Sequence, residues 1–103
     1  TLVSFGDCAI TANIPGMRNM LQGPEPVLRR AYLELADGSA QLPNAPGLVP
    51  ELLEQVLPVH ALVPVEVYLP GCPPSAERIR AALEPLLRGE RPQLSGPDQI
   101  RFG

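Results

Sequence analysis

The sequence predicts an α/β fold in which two parallel strands and flanking helices form one domain over residues 1–103. Two strand-like segments lie far apart in the chain, and helical patterns fill the stretch between them. A parallel pair joined by a right-handed crossover is therefore the simplest arrangement. Composition agrees, because 14 prolines and 9 glycines disfavour a coiled coil or a helical bundle. Since 45% of the residues are hydrophobic, there is enough apolar material for a core.

The first half of the chain begins with a predicted strand. Residues 2–5 are a short apolar run that ends at a turn over residues 6–8. Residues 11–23 are expected to form a loop or a short helix. Residues 26–35 carry apolar side chains at helical spacing, which predicts an amphipathic helix. Three prolines within residues 40–50 then indicate an extended connector.

The second half contains the other predicted strand. Residues 47–57 carry leucine and valine at helical spacing, which predicts a second helix. Residues 63–69 are rich in β-branched and aromatic side chains, which favours a strand. Residues 75–87 predict a helix whose last turn is kinked or shortened by Pro85. The tail over residues 90–103 is polar and turn-rich, so we expect it to be irregular.

The charge pattern argues against nucleic-acid binding. The chain has 8 basic and 11 acidic side chains, a net charge of −3, and its basic residues are scattered arginines. No apolar run approaches the ~18 residues of a membrane span, and no basic-then-apolar leader is present. The sequence therefore predicts a soluble, unexported protein of the cytoplasm.

The two cysteines are the main chemical feature. Cys8 and Cys72 each come just past the carboxyl end of a predicted strand. In open α/β sheets that edge is where ligands bind, so we expect the two thiols to converge on one site. Two thiolates cannot complete a tetrahedral metal site, so the chain by itself carries no complete active site.

The surroundings of Cys72 are conformationally constrained. Gly71 permits a close approach or a positive φ, while Pro73 and Pro74 remove two amide donors and fix φ. A Cys-Pro step also ends one type of cluster-binding run in iron–sulfur proteins. On the motif alone, metal ligation and a buried structural cysteine both remain open.

Other polar residues favour structural roles. Asp7 is interpreted as a residue that stabilises its turn. His60 has no second imidazole or carboxylate at ligand spacing, so a structural role is favoured. The sequence contains neither a Ser-His-Asp set nor a glycine-rich nucleotide-binding loop.

Three sequence blocks carry a resemblance to a known family. They are GDCA at residues 6–9, MRN at residues 17–19 and PGCPP at residues 70–74. With these blocks the chain resembles the small subunit of soluble, NAD-reducing (bidirectional) [NiFe] hydrogenases. That subunit is related to the cluster-bearing 20 kDa subunit of NADH dehydrogenase.

The resemblance implies a flavodoxin-like parallel sheet and a proximal [4Fe–4S] cluster held by four cysteines. Cys8 and Cys72 match two of these ligands, and Gly71 and Pro73 would shape their surroundings. The other two ligands, a C-x-x-C pair, are expected upstream of Thr1. The chain is accordingly expected to be the carboxyl-terminal part of a longer subunit, and so a partial domain.

The resemblance also implies a function in electron transfer. Electrons from H₂, split at a Ni–Fe centre in the large subunit, would pass through the cluster toward a flavin-containing diaphorase that reduces NAD. The implied partners are the hydrogenase large subunit and diaphorase or ferredoxin-like subunits. Residues 17–19 are a candidate contact with the large subunit. Some members bind FMN, and nothing in the sequence decides that point.

Two alternatives stay open. Within the same class, the chain would be a cluster subunit of a coenzyme-F420-type or quinone-linked oxidoreductase. From another class, it would be a non-catalytic binding module whose two cysteines are structural and joined as a disulfide. The incomplete ligand set and the proline-rich connector motivate this second alternative.

Overall fold

A pair of short parallel strands forms the sheet. In the computed structural model, which describes residues 1–103, β1 (Val3–Phe5) pairs with β2 (Val67–Leu69), and Ser4 lies opposite Tyr68. The helices follow in chain order as α1 (Asp7–Thr11), α2 (Asn13–Gly16), α3 (Glu25–Arg29), α4 (Ala76–Leu87) and α5 (Pro97–Ile100). The predicted parallel pair with flanking helices is therefore confirmed. None of the helices is long and apolar enough to cross a membrane.

The second strand is shorter than predicted, because residues 63–66 are not part of the sheet. The Val63 N–H donates to the carbonyl of Val59 at 3.1 Å, which ties it to a 3₁₀ turn over Val59–Ala61. Pro64 follows directly and has no N–H to offer a neighbouring strand. Regular pairing thus begins only where these constraints end.

The contacts group the chain into two compact units. The first consists of Thr1–Pro15 and Leu57–Gly103, and the second of Gly16–Val56. In the first unit, α1 packs on both strands and α4 packs on β2. The buried apolar side chains there are small in number and aliphatic: Ile10, Ala12, Val67, Leu69 and Ala82. This small core supports the edge of the sheet at which both strands end.

The helix that follows β2 agrees with the prediction. Ser75 caps its amino terminus, and the Ser75 hydroxyl accepts a hydrogen bond from the Arg78 N–H at 3.3 Å. The helix ends at Leu87, soon after Pro85. The tail is more ordered than expected, because α5 forms over Pro97–Ile100 with proline at its first position.

The second unit contains a helical stretch that is an α-helix in its first part and a π-helix in its second. Helix α3 continues as a wider π-helical turn over Arg30–Glu34, in which the Leu35 N–H donates to the Arg30 carbonyl at 3.1 Å. A 3₁₀ turn over Met17–Met20 precedes it. The predicted helix over residues 26–35 is confirmed in place, although half of it is not α-helical.

The predicted helix over residues 47–57 is wrong, because this segment has no helix. Pro50 lacks the N–H that a continuing helix would need. The Arg18 guanidinium donates to the carbonyls of Leu53 at 2.7 Å and Glu54 at 3.2 Å. The carbonyls that an α-helix would use internally are thus bound by a side chain from elsewhere in the unit.

Candidate metal centre

Both cysteines lie at the edge of the sheet where the parallel strands end. Cys8 sits in the first turn of α1, directly after β1, and Cys72 lies in the loop between β2 and α4. Both are exposed and neither forms a disulfide. We call residues 6–8 and 70–74 the cysteine edge. The structure therefore brings the two candidate ligands to the same edge of the sheet, as the topology predicted.

Backbone hydrogen bonds continue the strand pairing into the cysteine edge. The Gly6 N–H donates to the Leu69 carbonyl at 2.8 Å, and the Asp7 N–H donates to the Gly71 carbonyl at 3.0 Å. The residue that precedes each cysteine is thus bonded to the residue that precedes the other. The two ligand segments are consequently held side by side without a regular sheet.

Asp7 has a larger role than the turn that its sequence position suggested. The side chain is buried, and its Oδ1 accepts a hydrogen bond from the Gly71 N–H at 2.6 Å. Its Oδ2 accepts another from the Gly103 N–H at 2.9 Å. Since an ionised carboxylate only accepts, these two amides match it well. Asp7 therefore links the first cysteine segment to the second and to the tail.

Arg78 on α4 is a second residue that the sequence did not single out. Its guanidinium donates to the carbonyl of Pro70 at 2.5 Å, to that of Asp98 at 2.7 Å and to that of Arg101 at 2.9 Å. The planar guanidinium has several donors in a fixed fork, which allows one side chain to bind three carbonyls. Arg78 therefore fastens both the loop before Cys72 and the tail to α4.

Gly71 is required by the shape of its turn. Its φ is +137°, and a Cβ added there would lie 2.5 Å from the Cα of Pro74. A backbone atom cannot yield as a flexible side chain would, so no larger residue fits. The prediction of a close approach or a positive φ is confirmed in both respects. The following Cys72–Pro73 peptide bond is cis.

His60 lies against β2 and away from any cluster of ligand-type side chains. Its ring meets the ring of Tyr68 edge to face, with centroids 5.8 Å apart. The residues described include no group of three or more His, Cys, Asp or Glu side chains that could hold a metal ion. The structural role predicted for His60 agrees with this placement.

The MRN block at residues 17–19 binds within its own unit. Besides the carbonyls held by Arg18, the Asn19 side chain donates to the Val56 carbonyl at 2.9 Å and accepts from the Val56 N–H at 2.7 Å. Met17 is exposed. A contact with a large subunit remains a prediction, and the polar side chains of the block already have partners inside the chain.

The donor chemistry of the cysteine edge fits part of an iron–sulfur site. Thiolates are the usual ligands of [4Fe–4S] clusters, which take four of them. The chain contains two cysteines, and both are accessible at one edge. The residues present therefore fit half of a four-thiolate set.

Comparison with known proteins defines the class. Residues 1–86 match the family described as "NADH ubiquinone oxidoreductase, 20 Kd subunit". Because the match covers most of the chain, the chain belongs to this family.

The individual relatives are hydrogenase subunits. The chain is 37% identical over 94 residues to a vhu-type F420-non-reducing hydrogenase subunit of Methanococcus voltae, covering 90% of this chain and 32% of the relative. It is 33% identical over 92 residues to the delta subunit of the NAD-reducing hydrogenase HoxS of Cupriavidus necator, covering 85% and 43%.

A solved structure agrees with these relatives. The crystal structure of an NAD⁺-reducing [NiFe]-hydrogenase in the H₂-reduced state matches 99% of this chain with a TM-score of 0.78 and 38% identity. The resemblance and the α/β fold predicted from the sequence are confirmed. The chain spans 57% of the matched chain in that structure, and between about a third and somewhat under half of the two relatives.

Proposed function

We propose that this chain belongs to the electron-transferring small subunit of an NAD-reducing [NiFe] hydrogenase, in which Cys8 and Cys72 supply two of the four thiolate ligands of a proximal [4Fe–4S] cluster. When bound, such a cluster accepts and releases single electrons. The observation that carries the proposal is the placement of both thiols at the shared end of two parallel strands. The likeness to hydrogenase subunits supports it.

The residues of the cysteine edge would serve the site in different ways. Cys8 and Cys72 would bind as thiolates, the form in which cysteine ligates metals. Gly71 and Pro73 would shape the loop around the second ligand. The two remaining thiolates would come from a C-x-x-C pair upstream of Thr1, and FMN is not needed for this role.

The subunit's partners would lie on both sides of the electron path. A large subunit would oxidise H₂ at its Ni–Fe centre, and diaphorase or ferredoxin-like subunits would pass the electrons to NAD. The exposed thiols agree with a site completed by other parts of an assembly. The chain would thus conduct electrons and perform no bond chemistry on H₂ or NAD itself.

A second candidate keeps the cluster and changes the electron acceptor. The relative in Methanococcus voltae, which is 37% identical, is named as part of an F420-non-reducing hydrogenase, and this identity is close to the 33% and 38% of the two NAD-reducing proteins. In this reading the chain transfers electrons within a hydrogenase that does not use NAD. The ligand roles of both cysteines would be the same.

Anaerobic purification of the native complex tests the proposal. We expect iron and acid-labile sulfide to be present, and H₂-dependent reduction of both NAD⁺ and the artificial acceptor benzyl viologen. Reduction of benzyl viologen alone would favour the second candidate. A complex without iron or sulfide would contradict both.

Substitution of the ligands sharpens this test. Cys8→Ser and Cys72→Ser should each lower the iron content of the complex, because a hydroxyl is a much poorer ligand for iron–sulfur clusters than a thiolate. Ala9→Ser introduces the same hydroxyl beside Cys8 and serves as the matched control. An iron content equal to wild type in both cysteine variants would exclude the proposed ligand roles.

A further inference from the structure

The backbone just before Cys72 is bound at three successive groups by two other residues. The Pro70 carbonyl accepts from Arg78, the Gly71 N–H donates to the Asp7 carboxylate, and the Gly71 carbonyl accepts from the Asp7 N–H. These three groups immediately precede Cys72, so their orientation determines where the cysteine lies. The Pro70–Gly71 peptide and the carbonyl of the peptide that follows it are therefore held by hydrogen bonds.

Asp7 occupies a particular position in this network, because it is adjacent to Cys8 in sequence and bonded to the residue adjacent to Cys72. Its side chain is 5% exposed, so its hydrogen bonds face little competition from water. Charge-assisted hydrogen bonds of a carboxylate to amides are roughly twice as strong as neutral ones. The two backbone segments that carry the thiols are therefore joined through one residue, Asp7.

We infer that Asp7 is a positioning residue, which fixes the Cys72 loop against the Cys8 turn so that both thiols present themselves to one bound group, with Arg78 supporting the same loop from α4. The inference deepens the proposed function and rests on it for the identity of that group. The effect acts through the geometry of the thiols, and Asp7 is not itself a ligand.

A trivalent arsenical measures this geometry without any iron. Phenylarsine oxide reacts with two thiols to form two As–S bonds and releases one water, with no change in oxidation state. In the full-length subunit, with every cysteine outside this sequence replaced by serine, arsenic can bridge only Cys8 and Cys72, the two cysteines of this sequence. The affinity for the arsenical therefore reports how well the two thiols are held together.

Asp7→Asn is the decisive variant, since it keeps the size of the side chain and removes its charge. An amide nitrogen cannot accept a hydrogen bond, so one of the two backbone amides loses its partner. We expect the dissociation constant for phenylarsine oxide to rise about tenfold, the factor that corresponds to one lost charge-assisted hydrogen bond. Asp37→Asn makes the same chemical change at an exposed site of the second unit and should leave the constant unchanged.

Arg78→Lys provides a second variant that does not touch Asp7. Lysine keeps the charge but has no planar fork to bind three carbonyls, so we expect a smaller weakening of the arsenical, about threefold. If Asp7→Asn does not fold, as judged by its circular dichroism, this variant decides the matter. If Asp7→Asn folds and binds the arsenical as tightly as wild type, the inference is overturned. If Asp7→Asn does not fold, wild-type affinity in Arg78→Lys overturns it.

The complex supplies a readout that separates this inference from the proposed function. In the anaerobically purified complex carrying Asp7→Asn, the midpoint potential and the electron paramagnetic resonance spectrum of the cluster should differ from wild type at equal iron content. A wild-type complex without iron, together with the arsenical result expected above, would refute the proposed function and leave the positioning role standing. Iron at the wild-type level with unchanged potential, spectrum and arsenical affinity would refute only the positioning role.

Discussion

Two irregular segments of the molecule, each close to prolines, are held in place by side chains that bind backbone groups, and they differ in burial. At the cysteine edge, Asp7 holds the loop before Cys72 from a buried position. In the second unit, Arg18 and Asn19 hold residues 53–56 from the surface. Both segments are fixed by side-chain hydrogen bonds to the backbone, but these bonds should stabilise the cysteine edge more. Water competes with the exposed hydrogen bonds and hardly reaches the buried ones.

The largest difference should appear when a methyl group is added to a glycine of the cysteine edge and to a glycine elsewhere in the second unit. Gly71→Ala places a Cβ 2.5 Å from a backbone atom at a φ of +137°, so we expect a loss of about 2–4 kcal/mol in the free energy of unfolding. Gly47→Ala has a φ of +82° but meets no atom within 4 Å, and should lose only about 1 kcal/mol. Urea unfolding of both variants measures the difference. Equal losses would show that the close approach at Gly71 has no energetic weight.

Removing the anchoring side chains should give the next largest effect. Asp7→Ala leaves the Gly71 N–H without its partner in a buried site, which should reduce the free energy of unfolding by about 2–3 kcal/mol. Asn19→Ala removes two exposed hydrogen bonds to Val56 and should cost about 0.5–1 kcal/mol, since water replaces them. The two denaturation midpoints provide the measurement. A larger loss for Asn19→Ala than for Asp7→Ala would contradict the importance of burial in this comparison.

A buried hydroxyl without a partner should respond in the opposite direction. Ser4 in β1 is 1% exposed, and its Oγ makes no hydrogen bond. Ser4→Ala should therefore stabilise the protein by about 0.5–1 kcal/mol, because an unpaired hydroxyl is costly to bury. Ser75→Ala is the matched control: it removes the cap of α4 and should destabilise by about 1 kcal/mol. Destabilisation by Ser4→Ala would mean that this hydroxyl has a partner in solution.

The smallest expected effect is a pH dependence at the start of α4. The pKa of the Glu77 carboxyl lies below its ordinary value of 4.5, because the polar backbone N–H of Glu77, the Ser75 hydroxyl and the charge of Arg80 favour the ionised form. A lowered pKa in the folded state means that the contribution to stability is present above the unfolded pKa and is lost as the pH falls through the folded one. The Glu77→Gln variant should therefore lose slightly less of its free energy of unfolding than wild type as the pH falls. Urea midpoints of variant and wild type, compared between about pH 6 and about pH 3, test it. Identical pH profiles would contradict the assignment.

Local sequence patterns predicted the elements that depend on local interactions. The strand before Gly6 and the helix after Ser75 were found where expected, and the last three residues of the β-branched run over residues 63–69 form β2. Because parallel strands place their carboxyl ends at one edge, the joint placement of Cys8 and Cys72 followed from the topology.

Features that depend on distant partners were not predicted. Leucine periodicity indicated a helix over residues 47–57, and nothing in that window reveals that Arg18 binds the carbonyls of Leu53 and Glu54. The partner of Asp7 lies 64 positions away, at Gly71. Periodicity detects which face of an element is apolar, whereas these hydrogen bonds are created only when separate segments fold together.

The way in which Arg78 holds the tail affects how freely that tail can change in sequence. Its guanidinium contacts the main-chain carbonyls of Asp98 and Arg101, and the side chains of those two positions are exposed. Any residue that keeps the same backbone path presents the same carbonyls. The tail can therefore accumulate substitutions at both positions while it remains docked. Its docking depends instead on Arg78 and on Asp7, which accepts from the Gly103 N–H, so single changes at these two anchors would loosen the tail.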